Sequence, residues 1–147
     1  MPETVASGFE ILDHPADMGF RAWAPTLPDL FAECARALTC VLVDIDAVQP
    51  RESMGVEVLG DDVETLLFNW LAEVLYLFDG ERKLFSQFWV VSHKSSEGME
   101  FLQAELSGEA YDRERHQIKT YVKAVTFHQL KVEHTDKGYR ATVFLDI

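Results

Sequence analysis

Two stretches of this chain repeat apolar residues at three- and four-residue intervals, and the segments between them are short, branched or aromatic runs broken by turn residues. The first stretch takes in Leu27, Leu30, Phe31, Cys34, Ala35, Leu38, Val41 and Leu42; the second takes in Val63, Leu66, Leu67, Trp70, Leu71, Val74, Leu75 and Phe78. Apolar side chains at that spacing share one side of a helix, so each stretch must bury a face against something else. Thr26 with Asp29 three positions on, and Pro28 in the first turn, sets the first helix start and predicts a run to about Val43. Asp61 or Asp62 can cap the second helix, and Asp79-Gly80 ends it.

The remaining apolar segments, 9–13, 19–24, 54–59, 84–91, 100–110, 122–132 and 138–145, are enriched in strand formers. Residues 95–98 and Asp136-Lys137-Gly138 carry hairpin-turn chemistry. Two helices against five or more strands predict an α+β protein: one two-layer domain over residues 1–147, with both helices packed on a mixed, largely antiparallel sheet. The charged segment 111–119 is expected to be a mobile loop, and the charge run from Glu109 to His116 solvated surface.

With 48% hydrophobic residues in 147, the chain can form its core without a metal or disulfide as scaffold. Cys34 and Cys40 lie six residues apart on one predicted helix and off a common face, so no disulfide is expected between them. The opening residues lack the basic and apolar regions of a secretory signal, and no apolar run reaches 18 residues; a soluble cytoplasmic protein is expected. Thirteen basic against 25 acidic side chains give a formal charge of −12, which repels phosphate backbones and favours a cation or a basic partner.

Two polar concentrations stand out. At the end of the chain, the buried-type run 141–145 is followed at once by Asp146 and Ile147. If Ile147 is the native terminus, its α-carboxylate sits beside the Asp146 side chain, and two adjacent anions need a cation or several donors. An ordinary solvated chain end accounts for the same residues. The second concentration, Asp13, His14 and Asp17 around Pro15, lies between two predicted strands, where turn aspartates commonly satisfy backbone amides. His93 and His128 fall in or beside strand segments. The sequence contains no Cys-x-x-Cys pair, glycine-rich phosphate loop, His-Glu-x-x-His or nucleophile elbow.

Phe9-Glu10-Ile11-Leu12-Asp13-His14-Pro15-Ala16-Asp17 resembles the opening of the archease family, an aromatic residue followed by Asp-His-Thr-Ala-Asp. Thr26-Leu27 through Ala32, Leu66-Leu67-Phe68-Asn69-Trp70-Leu71, Leu75-Tyr76, Asp112 through His116, Val122 through His128 and the closing Leu145-Asp146-Ile147 continue the pattern in order. The resemblance implies an accessory protein rather than an enzyme. Archeases are cofactors of the RtcB-type RNA ligase of tRNA splicing and RNA repair, promoting guanylylation and turnover of that GTP-dependent enzyme.

Carried over by position, the family's metal-binding aspartate is Asp17, and its terminal pair is Asp146 and Ile147. That all-oxygen set suits a hard divalent cation, Ca²⁺ first and Mg²⁺ or Mn²⁺ next. Lys123 matches the family's lysine as a contact to the ligase or a charge partner near the site, and Asp13, His14, His116 and His128 match positions expected at the same end of the molecule. Pro15 replaces the family's usual Thr and removes a hydroxyl and a backbone donor. The implied partner is the ligase, with RNA met only through it, no membrane contact, and a monomeric or weakly oligomeric protein. Two rivals remain open: a metal-dependent hydrolase acting alone, and a chaperone-like binding module.

Overall fold

A computed structural model describes residues 6–13 and 18–147. The chain forms strands β1 (Gly8–Asp13) and β2 (Met18–Ala24), helix α1 (Leu27–Leu42), strand β3 (Glu52–Gly60) and helix α2 (Val63–Asp79). Strands β4 (Lys83–Ser96), β5 (Met99–Ala110), β6 (Ala124–Val125), β7 (Lys131–Thr135) and β8 (Gly138–Asp146) follow. The α+β class holds, and the structure has two sheets in place of the single mixed sheet expected. One is ordered β1-β2-β8-β6 with β7 also on β8, the other β3-β5-β4, and every pairing among the described residues is antiparallel. The reason lies in the connections. α1 carries the chain from one sheet to the other, and α2 joins β3 to β4, which run the same way but are kept apart by β5. A parallel neighbour would require such a crossover to land on the adjacent position.

The helix starts follow the sequence signals. The Thr26 hydroxyl accepts from the Asp29 amide at 3.2 Å, and Asp62 Oδ1 accepts from the Thr65 amide at 2.7 Å. The Asp62 carboxyl is accordingly held below its ordinary range by that amide. Leu30, Phe31, Cys34, Leu38 and Leu42 of α1 and Leu66, Leu67, Trp70 and Leu71 of α2 are buried in one apolar cluster with side chains from both sheets. Trp70 is fully buried, and its indole N–H donates to the Phe31 carbonyl at 2.9 Å, tying the helices together. Cys34 and Cys40 are free.

Three local expectations are corrected. The segment 122–132 is not one strand: β6 and β7 are separated by a turn in which Gln129 takes φ 53°. Both halves pair with β8, and the turn turns Phe127 outward to stack on Phe68 of α2, centroids 3.9 Å apart. β4 runs further than expected and accommodates its length with register shifts at Phe85/Gln87 and Val90/Ser92. The β4–β5 hairpin closes through Glu97 (φ 50°) and Gly98 (φ 74°), the paired left-handed conformations of a type I′ turn. Segment 111–119 is not a purely solvated loop, because His116 within it is 1% exposed.

Candidate metal centre

β8 carries Asp146 and leads directly into Ile147. It pairs along one side with β2 and along the other with β6 and β7, so its end is held between two neighbours. Met18 lies opposite Leu145 across β2 and β8, and Asp13 opposite Met18 across β1 and β2. Ala124 lies opposite Asp146, and the Lys123 amide donates to the Asp146 carbonyl at 2.7 Å. The chain end, the first residue of β2 and the 123–124 segment therefore meet at one corner of the five-stranded sheet. Buried Leu145 and Val125 anchor this corner from beneath, while Lys123, Asp146 and Ile147 are exposed.

His14 and Asp17 lie outside the described residues. Among the described residues, no group of three or more His, Cys, Asp or Glu side chains is arranged to hold a metal ion. The donors at the corner are chemically suited to a hard cation, since the exposed Asp146 carboxylate and backbone carbonyls are oxygens and neither cysteine lies in these strands.

The other sequence candidates separate. His128 is exposed in the β6–β7 turn, its ring 6.2 Å from that of Phe144, two residues before Asp146, and its amide is held by the Thr126 hydroxyl at 3.3 Å. His116 serves a different site. Its Nε2 is 2.9 Å from Glu109 Oε2 and its Nδ1 accepts from the Asp112 amide at 2.9 Å, so the imidazole closes a loop onto the end of β5. Glu109 is 5% exposed and also receives the Gln49 amide at 2.8 Å and the Arg115 guanidinium. Burial alone would raise its carboxyl. The Gln49 amide, His116 and Arg115 outweigh that and bring it down to about 2.

Sequence reasoning places Glu109 in a solvated charge run, and the structure buries it; it is out of phase with the inward residues of β5, so no periodicity marks it. Sequence reasoning missed a second buried carboxylate, one that periodicity does mark. Glu100 shares the inward phase of Leu102, Ala104 and Leu106, is 7% exposed, and lies 3.6 Å from His93 Nε2. Neither His93 Nε2 nor Glu100 Oε2 makes a hydrogen bond.

Residues 9–147 match the model of the archease protein family (MTH1598/TM1083). The chain belongs to the archease family. An archease of Methanopyrus kandleri is 40% identical over 139 residues, covering 95% of this chain and 99% of that protein. One from Methanosarcina mazei is 37% identical over 139 residues, covering 95% of each chain. The solution structure of Methanobacterium thermoautotrophicum protein 1598 superposes with a TM-score of 0.84 at 36% identity, covering 95% of this chain and 99% of that one. A Thermotoga maritima archease, described as a possible chaperone, shares the fold at 14% identity with a TM-score of 0.53, covering 92% of this chain and 94% of that one. No helix among the described residues is long and apolar enough to cross a membrane.

Proposed function

We propose that this archease assists an RtcB-type, GTP-dependent RNA ligase through a divalent cation held by Asp17, Asp146 and, where Ile147 ends the chain, its α-carboxylate. The observation that carries the reading is the antiparallel register of Met18 with Leu145. Asp17 is bonded directly to Met18, and Asp146 directly to Leu145, so two carboxylates 129 positions apart in sequence attach to residues that face each other across one ladder. A bound cation, Ca²⁺ first, supplies positive charge that can be brought to a nucleotide phosphate.

The protein's own residues do the positioning. The β8 ladder fixes the chain end, the Lys123 amide holds the Asp146 carbonyl, and exposed Lys123 sits beside the site as a contact to the ligase. The −12 charge steers the protein toward a basic, RNA-binding partner, and the association weakens as salt rises. The test is a guanylylation assay with the cognate ligase. Asp17→Ala and Asp146→Ala leave the fold intact and abolish stimulation; normal stimulation by both variants removes the reading.

One observation favours a second reading, a binding module of the chaperone type. Leu59, Trp89, Val91 and Phe101 are exposed strand residues, and Leu59 and Phe101 are direct cross-strand partners on the three-stranded sheet. That reading requires suppression of aggregation of an unfolded client without any cation. A chelator-insensitive effect, unchanged in Asp146→Ala, would decide for it.

A further inference from the structure

The outer face of the five-stranded sheet is chemically unlike the rest of this acidic chain. β2 and β8 turn Phe20, Ala22, Ala141 and Val143 into the core, which places Arg21 and Trp23 on the opposite side. Residues directly opposed across antiparallel strands share a face. The register therefore lays down one row of Gly8, Trp23, Arg140 and Glu133, and a neighbouring row of Glu10, Arg21, Thr142 and Lys131. Arg21, Lys131, Lys137 and Arg140 are four of the chain's thirteen basic residues, and they face three carboxylates, Glu10, Glu133 and Asp136. Immediately around Trp23, Arg21, Lys137 and Arg140 meet Glu10 and Asp136, a local excess of one positive charge on a chain of −12, while Asp146, in phase with Arg140, lies further along β8.

Trp23 lies on this face near the end of β2, 37% exposed. Its indole occupies the space over β1 that a side chain on Gly8 would need, since a Cβ there would stand 2.8 Å from the ring. A groove of about 850 Å³, bordered by Trp23, Glu10, Arg21, Lys137, Tyr139 and Arg140, opens beside it. That volume is within the range of small-ligand sites. The guanidiniums are already oriented by carboxylates: Arg21 is 3.0 Å from Glu10, and Arg140 Nε is 3.1 Å from Glu133. These pairs are open to solvent, where they contribute little stability, so either arginine can exchange its carboxylate for a phosphate at small cost.

We propose that this face is a docking platform for single-stranded RNA, with a base stacked on Trp23 and the flanking phosphates met by Arg21, Arg140 and Lys137. An exposed aromatic on an open antiparallel sheet, flanked by cations, is how proteins take up unpaired bases, because every base offers a stacking face and the backbone supplies the anions. A duplex, whose bases are already stacked, offers nothing to the indole. The choice of RNA over DNA rests on the ligase reading; the platform itself does not. The strong negative charge elsewhere makes binding weak and salt-sensitive, as suits a protein that meets an RNA end beside a partner and then releases it.

The experiment uses the full chain alone, so its outcome is independent of any ligase assay. Trp70 is buried, and Trp89→Phe removes the other exposed indole, leaving Trp23 as the reporter. Titration with a single-stranded RNA of about ten nucleotides at low salt is expected to quench its fluorescence. In anisotropy measurements with the labelled oligonucleotide, Trp23→Ala weakens binding about tenfold or more, and Arg140→Gln weakens it and flattens the salt dependence while circular dichroism stays unchanged. No binding by the wild type, or unchanged binding by both variants, overturns the proposal. Equal binding of duplex RNA, or competition by poly-glutamate as effective as by RNA, also overturns it, the latter in favour of an acidic protein partner. Equal binding of single-stranded DNA upholds the platform and removes its link to the ligase.

Discussion

His116 and Glu109 meet side chain to side chain at 2.9 Å inside the protein, and this contact closes the segment after β5 onto the sheet. Four groups converge on the one carboxylate: the Gln49 amide, His116, Arg115 and, at 3.5 Å, Arg51. Glutamine keeps one acceptor oxygen for the Gln49 amide and His116 but loses the charge, and it turns an amide NH2, a donor, toward the Arg115 and Arg51 guanidiniums. Glu109→Gln is therefore expected to lower stability by about 2–3 kcal/mol, read as a shift of the urea midpoint with an unchanged m-value. A variant within experimental error of the wild type would show that the contact contributes nothing net.

The same carboxyl gives a pH signature with a definite sign. Its folded value is depressed to about 2 from an ordinary 4.5. The stabilisation it provides is present in full above about pH 4.5 and is lost as the pH falls toward 2. Other carboxyls such as half-buried Glu133, held at about 2 by Lys131 and Arg140, titrate over the same span, so the diagnostic quantity is a difference. The stability gap between wild type and Glu109→Gln is expected to narrow steadily from pH 5 to pH 3. A constant gap would mean that the carboxylate's charge is not what the surrounding donors stabilise.

Trp70 allows the helix–helix contact to be tested separately from the sheets. Its indole is fully buried and donates to the Phe31 carbonyl at 2.9 Å. Trp70→Phe removes the bond and leaves a void where the larger ring was, and is expected to cost about 2–4 kcal/mol in chemical denaturation. A smaller loss would mean that the core around Phe88, whose ring packs edge-on against Trp70, collapses into the space.

What could be read in the chain was whatever leaves a local signature. Both helices follow from their apolar spacing and from Thr26 and Asp62, whose side chains make the capping bonds those positions imply. The division into two sheets could not be read, because strand pairing is decided by which segments α1 and α2 return to, and period-two alternation is blind to that. The break between β6 and β7 escaped for a related reason: Phe127 and Gln129 suit a strand locally, yet the stack of Phe127 on Phe68 is made only once α2 is in place. At the candidate centre, the convergence of the beginning and end of the chain came from a resemblance of motifs. The Met18–Leu145 register supplies a physical basis that no spacing of residues contains.

The chain end gives the sharpest test of the proposed cation site. Extending the protein past Ile147 by a short glycine–serine segment converts the α-carboxylate to a neutral amide, removes one negative ligand and leaves Asp146 in its ladder position opposite Ala124. Because calcium affinity follows the number of charged oxygens, the extension is expected to weaken binding about tenfold or more, measured by calorimetric titration of the metal-free protein. The same segment placed before Met1 leaves affinity unchanged, which separates loss of the carboxylate from a general effect of a flexible tail. Binding equally tight with the C-terminal extension would remove Ile147 from the ligand set. Loss of binding in Asp146→Ala together with an unaffected C-terminal extension would place the site on side chains alone, with the β2–β8 ladder still bringing them together.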